Sequence, residues 1–82
     1  MLMTAILTRL QTYIATQYLH IAPAQLPPDR ALVSSRLIDS FNLVDLALYV
    51  ESEFGVRLDD AELNSTTFDT LEQLAALVQS RR

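Results

Sequence analysis

The chain has no cysteine, a single glycine, a single histidine and no long run of apolar residues. Each absence excludes something. Without cysteine no disulfide can staple the fold, so packing alone must hold it. One glycine, Gly55, leaves no glycine-rich loop of the usual phosphate-cradling kind. His20, the lone histidine, has no Ser/His/acid spacing around it, so intrinsic catalysis is not expected. Asp59-Asp60 reads as a solvated turn and helix start, and no metal-ligating cluster stands out. A helix needs about 20 apolar residues to cross a bilayer, and no segment comes near that. The stretch MLMTAILTRLQTYIATQYLH has neither a basic start nor a small-residue cleavage site. It reads as a helix rather than a signal peptide, with no membrane insertion and the cytoplasm as the expected compartment.

Half of the residues are apolar, enough to drive folding. A chain of this size should bury roughly 60% of its unfolded surface, and one monomeric domain over residues 1–82 is expected. The net charge of −4 is unevenly spread. Residues 1–40 carry three arginines against two aspartates, a balance of +1, while residues 41–82 carry eight acids against three arginines, a balance of −5. Such a surface repels nucleic-acid backbones and anionic lipid, and steers towards basic proteins.

The scarcity of glycine and of β-branched runs predicts an all-α domain: a small four-helix bundle of three longer helices and one short one. Met3, Ile6, Leu7, Leu10, Ile14 and Tyr18 recur at helical spacing and predict a first helix from Met3 to about Leu19, ending before Pro23. A long ordered loop should follow, pinned by Ile21, Leu26, Leu32, Val33, Leu37 and Ile38. The second helix is expected from Ser40 to about Phe54, capped by Asp39 or Ser40 and closed by Gly55. RLDDAELNSTTF should contain the short helix and drop Leu58, Leu63 and Phe68 into the core. The last helix should start near Asp69 or Thr70, with capping-box spacing in Asp69/Glu72 or Thr70/Gln73. Its inner face is Leu71, Leu74, Ala75 and Val78.

The second helix has more apolar residues than one core face requires. With Ser40 at zero, Leu43, Ala47, Val50 and Phe54 fall between about 280° and 340°, with Leu46 near 240°. Val44, Leu48 and Phe41 fall near 40°, 80° and 100°, on the flank shared with Ser40, and Asp45 and Ser52 lie beside them. A second apolar strip edged with acid suits a docking surface. A central helix buried on both sides would produce the same pattern, and Ser40 alone suits an ordinary cap.

LIDSFNLVDLALYVESEFGVRL resembles the segment around the modified serine of acyl carrier proteins, whose motif is Asp-Ser followed by an apolar residue. Asp39-Ser40-Phe41 occupies that motif, and VESEF and LDDAELNSTTFDTLEQLAALV continue the likeness. About half of the chain resembles the family closely. The family often has a glycine two or three residues before the aspartate, where this chain has Arg36 and Leu37, and a more acidic helix where it has Tyr49 and Ser52.

The resemblance implies that a phosphopantetheinyl transferase moves 4′-phosphopantetheine from coenzyme A onto Ser40, with Asp39 beside it. The thiol then arrives with the cofactor, and acyl or aminoacyl groups ride on it as thioesters. Phe41, Val44, Asp45 and Leu48 would form the recognition surface, with Glu51 and Glu53 contributing less. Partners would be a loading ligase and downstream acyl-transferring enzymes. The DSF form and the F.TL tail lean towards an aminoacyl or specialised-metabolite carrier. The competing reading is a non-covalent helical interaction module in which Ser40 is only a cap.

Overall fold

Three α-helices form where the apolar spacing demands them, in a computed structural model that describes residues 2–82. Helix α1 covers Met3–Ile14, α2 Ser40–Phe54 and α3 Leu71–Arg81. Among the described residues there is no strand, so the all-α class holds. No helix among them is long and apolar enough to cross a membrane.

The first helical segment does reach Leu19, but through a change of pitch. After Ile14 the chain widens into a π-helical turn, Ala15–Leu19. His20 ends it in the left-handed region at φ 56°, and the Ile21 amide bonds back to the Ala15 carbonyl at 3.0 Å. The stop is thus made before Pro23, which instead opens its own 3-10 turn, Pro23–Gln25.

The core is assembled from one stripe of each helix. Ile6, Leu10 and Ile14 of α1, Leu46 and Val50 of α2, and Leu71, Leu74, Ala75 and Val78 of α3 are fully buried. Removing such a leucine or isoleucine side chain to alanine costs about 2–5 kcal/mol, so these positions set the fold. Helix α1 packs chiefly on α3. Polar side chains tie α1 and the π-helical turn to α2: Arg9 pairs with Glu53 at 3.0 Å, and the hydroxyls of Tyr13 on α1 and Tyr18 in the turn both donate to Asp45.

The long connection, residues 20–39, is held at both its apolar and its polar groups. Leu26, Leu32 and Ile38 are buried, and Ile21 and Val33 are half-buried. The head of α3 supplies the polar anchors. The Leu32 amide donates to the Asp69 carbonyl at 2.7 Å, and the amides of Val33 and Ser34 both donate to the Asp69 carboxylate at 2.8 Å. Leu37 departs from expectation and is exposed. Arg36, at φ 61°, turns the chain so that Ile38 enters the core, and its neighbour then faces outward.

Where a short fourth helix was expected, the chain makes only a 3-10 turn, Asp60–Glu62. Asn64 explains the interruption. Its side-chain oxygen accepts from the amides of Thr66 and Thr67, both at 3.0 Å, a local alternative to helical bonding. Leu58 and Phe68 still reach the core on either side, while Leu63 is half-buried.

Candidate functional site at the head of the second helix

Asp39 is extended, and its carboxylate accepts from the Asn42 amide at 2.8 Å, while the Asn42 side chain accepts from the Asp39 amide at 3.1 Å. This reciprocal pair caps α2. Ser40 is therefore the first residue inside the helix and not the cap. Its side chain is exposed, and among the described residues its hydroxyl has no hydrogen-bond partner. The amides of Ser40 and Phe41 are likewise unbonded there, as the first turn of a helix leaves them. An oxygen nucleophile thus stands beside free donors at the positive end of a helix dipole, a setting that favours a phosphate ester.

The surroundings of Ser40 are apolar on two sides. A cleft of about 320 Å³ opens beside it, walled by Leu43, Val44, Asp60 and Leu63. It shares Val44, Asp60 and Leu63 with a second cleft of about 330 Å³ that runs on past Leu48, Glu51 and Arg57. On the outer flank Phe41 is 84% exposed, Val44 52% and Leu48 62%. The other stripe of the helix, Leu43, Leu46, Val50 and Phe54, is buried, so the two strips read in the sequence lie on opposite sides of the surface.

The acids of α2 are placed differently from one another. Asp45 accepts from the Tyr13 hydroxyl at 2.7 Å and the Tyr18 hydroxyl at 2.5 Å, bonds that hold its carboxyl below the usual range, Tyr18 first. In return, burial and then the bond to Asp45 push Tyr18 up, and the bond to Asp45 raises Tyr13. Tyr49 stacks on Tyr13 with centroids 3.7 Å apart and is pushed up by its own burial. Glu53 is paired with Arg9, whereas Glu51 is exposed and unbonded among the described residues.

Sequence reasoning missed the two tyrosines, and no periodic signal reveals them. Residues five apart lie about 140° apart on an α-helix. The π-helical turn, whose bonding repeats at i→i+5, closes that angle and brings both hydroxyls to one carboxylate. Asp60 and Leu63 were also missed as surroundings of Ser40, because only the folded loops place them there. Arg36 lies three residues before Asp39, and its φ of 61° puts a non-glycine residue in the left-handed region there.

A sequence profile described as "Phosphopantetheine attachment site" matches residues 8–78. An "Acyl carrier protein" of Thermotoga maritima is 40% identical over 50 residues, 61% of this chain. That match spans 62% of the relative, somewhat less than two thirds of its length. The chain belongs to the acyl carrier protein family, whose members carry a 4′-phosphopantetheine prosthetic group.

Proposed function

We propose that Ser40 is the residue that bears 4′-phosphopantetheine, and that residues 1–82 form one carrier domain in which Asp60–Glu62 takes the place of the short fourth helix. The observation that carries this reading is the division of labour at the head of α2. Asp39 and Asn42 complete the cap between them, and the adjacent hydroxyl is left exposed and unbonded. A phosphopantetheinyl transferase joins the Ser40 oxygen to the pantetheine phosphorus as the pyrophosphate linkage of coenzyme A breaks, with adenosine 3′,5′-bisphosphate leaving and the serine proton passing to a base of the transferase. When bound, the arm supplies a terminal thiol, which this cysteine-free chain lacks, and acyl or aminoacyl groups are held on it as thioesters. The chain's own residues position the arm. Ser40 and Phe41 offer their amides to the phosphodiester, and the cleft along Val44 and Leu63 gives the arm an apolar wall.

The carrier acts as a monomer in the cytoplasm and catalyses nothing itself. A loading ligase and acyl-transferring enzymes meet it at Phe41, Val44 and Leu48, with Asp45 at the edge of that surface and Glu51 and Glu53 further along α2. Intact mass after incubation with coenzyme A and a promiscuous transferase tests the reading. A gain of one phosphopantetheine that vanishes in Ser40→Ala is the expected result. An unchanged mass would leave α2 as the face of a non-covalent interaction module.

A further inference from the structure

We infer that Asp45 is a register switch for the end of α1. While its carboxylate holds Tyr13 and Tyr18 together, residues 15–20 keep the π pitch, and once that acceptor is taken away they relax to the α register. The device needs only α1, the turn and α2, and so goes beyond the carrier reading without resting on it.

The backbone shows which two registers compete. In a continued α-helix the Ala15 carbonyl would accept from the Leu19 amide. Here it accepts instead from the His20 amide and, at 3.0 Å, from the Ile21 amide. The local sequence does not demand this, because ATQYL holds neither proline nor glycine, and alanine, glutamine and leucine favour the ordinary helix. His20 also accepts a left-handed backbone at φ 56° without being glycine. A local preference for the α pitch is therefore overruled by a contact from elsewhere in the fold.

That contact is Asp45. Both phenols donate to the same oxygen, Oδ2, Tyr13 at 2.7 Å and Tyr18 at 2.5 Å. On an α-helix the two residues would stand about 140° apart and could not share one atom. The paired bond thus exists in one register and not in the other, and bonds to a charged acceptor are the strong ones. Stacked rings extend the grip along α2. Tyr18 meets Tyr13 edge to face with centroids 5.6 Å apart, Tyr13 stacks on Tyr49, and Tyr49 meets Phe54 edge to face. Asp45 is itself exposed, so a donor from outside can contend with the phenols for Oδ2, and whatever takes that oxygen also releases the turn. The turn leads straight into half-buried Ile21 and the long loop that ends at Asp39, so the register also sets where that loop begins.

The test is NMR on the full, isotope-labelled chain, reading the scalar couplings that cross backbone hydrogen bonds. In the parent the Ala15 carbonyl should couple to the His20 or Ile21 amide. In Asp45→Ala, which stands in for capture of the carboxylate, it should couple to the Leu19 amide instead. Exchange protection of the His20 and Ile21 amides should fall about tenfold or more, while Val50 and Leu74 in the core stay within about threefold of the parent. Tyr18→Phe keeps the ring and removes only the donor, and should move the coupling the same way; it decides the matter alone if Asp45→Ala does not fold. Coupling that stays with His20 or Ile21 in the variants means that the pitch is set locally, and the inference fails. Lost protection there with no coupling to Leu19 means that the turn melts rather than changes register, which overturns it too. Loading at Ser40 plays no part in this readout, so the carrier reading and this inference stand or fall separately.

Discussion

The heads of α2 and α3 are built on one plan and left in opposite states. In both, a side chain three residues into the helix returns a hydrogen bond to the backbone near the cap. Asn42 does so to Asp39, and Gln73 accepts from the Asp69 amide at 2.7 Å while its own amide donates to Thr70 at 3.1 Å. At α3 the spare polar group is then consumed. The Asp69 carboxylate accepts from the amides of Val33 and Ser34 and from the Ser34 hydroxyl, and so fastens the long loop to the bundle. At α2 the spare group is Ser40, which holds nothing. One helix start is a structural knot, and the other leaves an exposed hydroxyl without a partner among the described residues.

The comparison predicts a separation of function from stability. Ser40→Ala should abolish phosphopantetheine loading completely and change stability by less than about 0.5 kcal/mol, as for a surface residue with no partner. Intact mass and thermal melting read the two effects on one sample. A clear drop in Tm would mean that the serine hydroxyl does structural work after all, and the contrast between the two heads would fail.

Asp69→Ala should give the converse result, with the largest loss of Tm among these helix-head variants and a loading rate at Ser40 that still reaches completion below the melt. Three donors in the loop lose their acceptor at once, so Asp69→Asn, which retains one acceptor oxygen, should fall between the two. Asp39→Ala removes a single capping bond and should cost about 1 kcal/mol, or about 4–8 °C in a domain of this size. If Asp39→Ala melts below Asp69→Ala, the assignment of the loop anchor to α3 is wrong.

Much of this was legible in the sequence because it depends on local rules. The helices over Ser40–Phe54 and Leu71–Arg81, their inner stripes and the stop at Gly55 all follow from period, caps and a left-handed glycine. The exposed row Phe41, Val44 and Leu48 was readable as a second strip, although the angles alone could not tell an exposed strip from a doubly buried helix. The tertiary partners were not readable. Nothing local announces that Asp45 meets Tyr13 and Tyr18, because a change of helical pitch decides it. Nothing local announces that Asp69 spans to residue 34, because loop closure decides it. The short helix expected near Asp60 shrank to a turn because Asn64 takes the amides that a helix would use.

The same anchors set the response to pH. Bonds from Tyr18 and Tyr13 hold Asp45 low, bonds from Ser34 hold Asp69 low, and Arg81 first and the Asp59 amide next hold Glu62 down at about 2. Each of these groups binds a proton more readily in the unfolded chain, so each stabilises the fold above the ordinary carboxylate range and loses that contribution as pH falls. Stability should therefore decline from about pH 4 downward, with the Glu62 share lost progressively and gone below about 2. The tyrosines have the opposite sign. Tyr13, Tyr18 and Tyr49 are all raised, so their contribution is present below about pH 10 and is lost above it. Urea titrations across pH should show both limbs, and Asp45→Asn should flatten part of the acid one. An acid limb unchanged in Asp45→Asn would detach that carboxylate from the stability of the fold.

The smallest effect concerns two left-handed residues that flank α2, Arg36 before it at φ 61° and Gly55 after it at φ 69°. Their backbones are alike, but only one has the residue suited to the conformation. A β-carbon added at Gly55 would meet nothing within 4 Å, so any cost of Gly55→Ala comes from the backbone alone and should be about 1 kcal/mol. Arg36→Gly should run the other way. Relief of the left-handed strain, about 1–2 kcal/mol, is largely offset by the greater freedom glycine has when unfolded, about 0.5–1 kcal/mol. The net gain should be about 0.5 kcal/mol, a rise in Tm of about 2–4 °C. Loading at Ser40 should be unchanged, because the turn is already made. If Arg36→Gly melts lower than the parent, the arginine side chain holds the turn through contacts of its own, and the position is then more than a strained substitute for glycine.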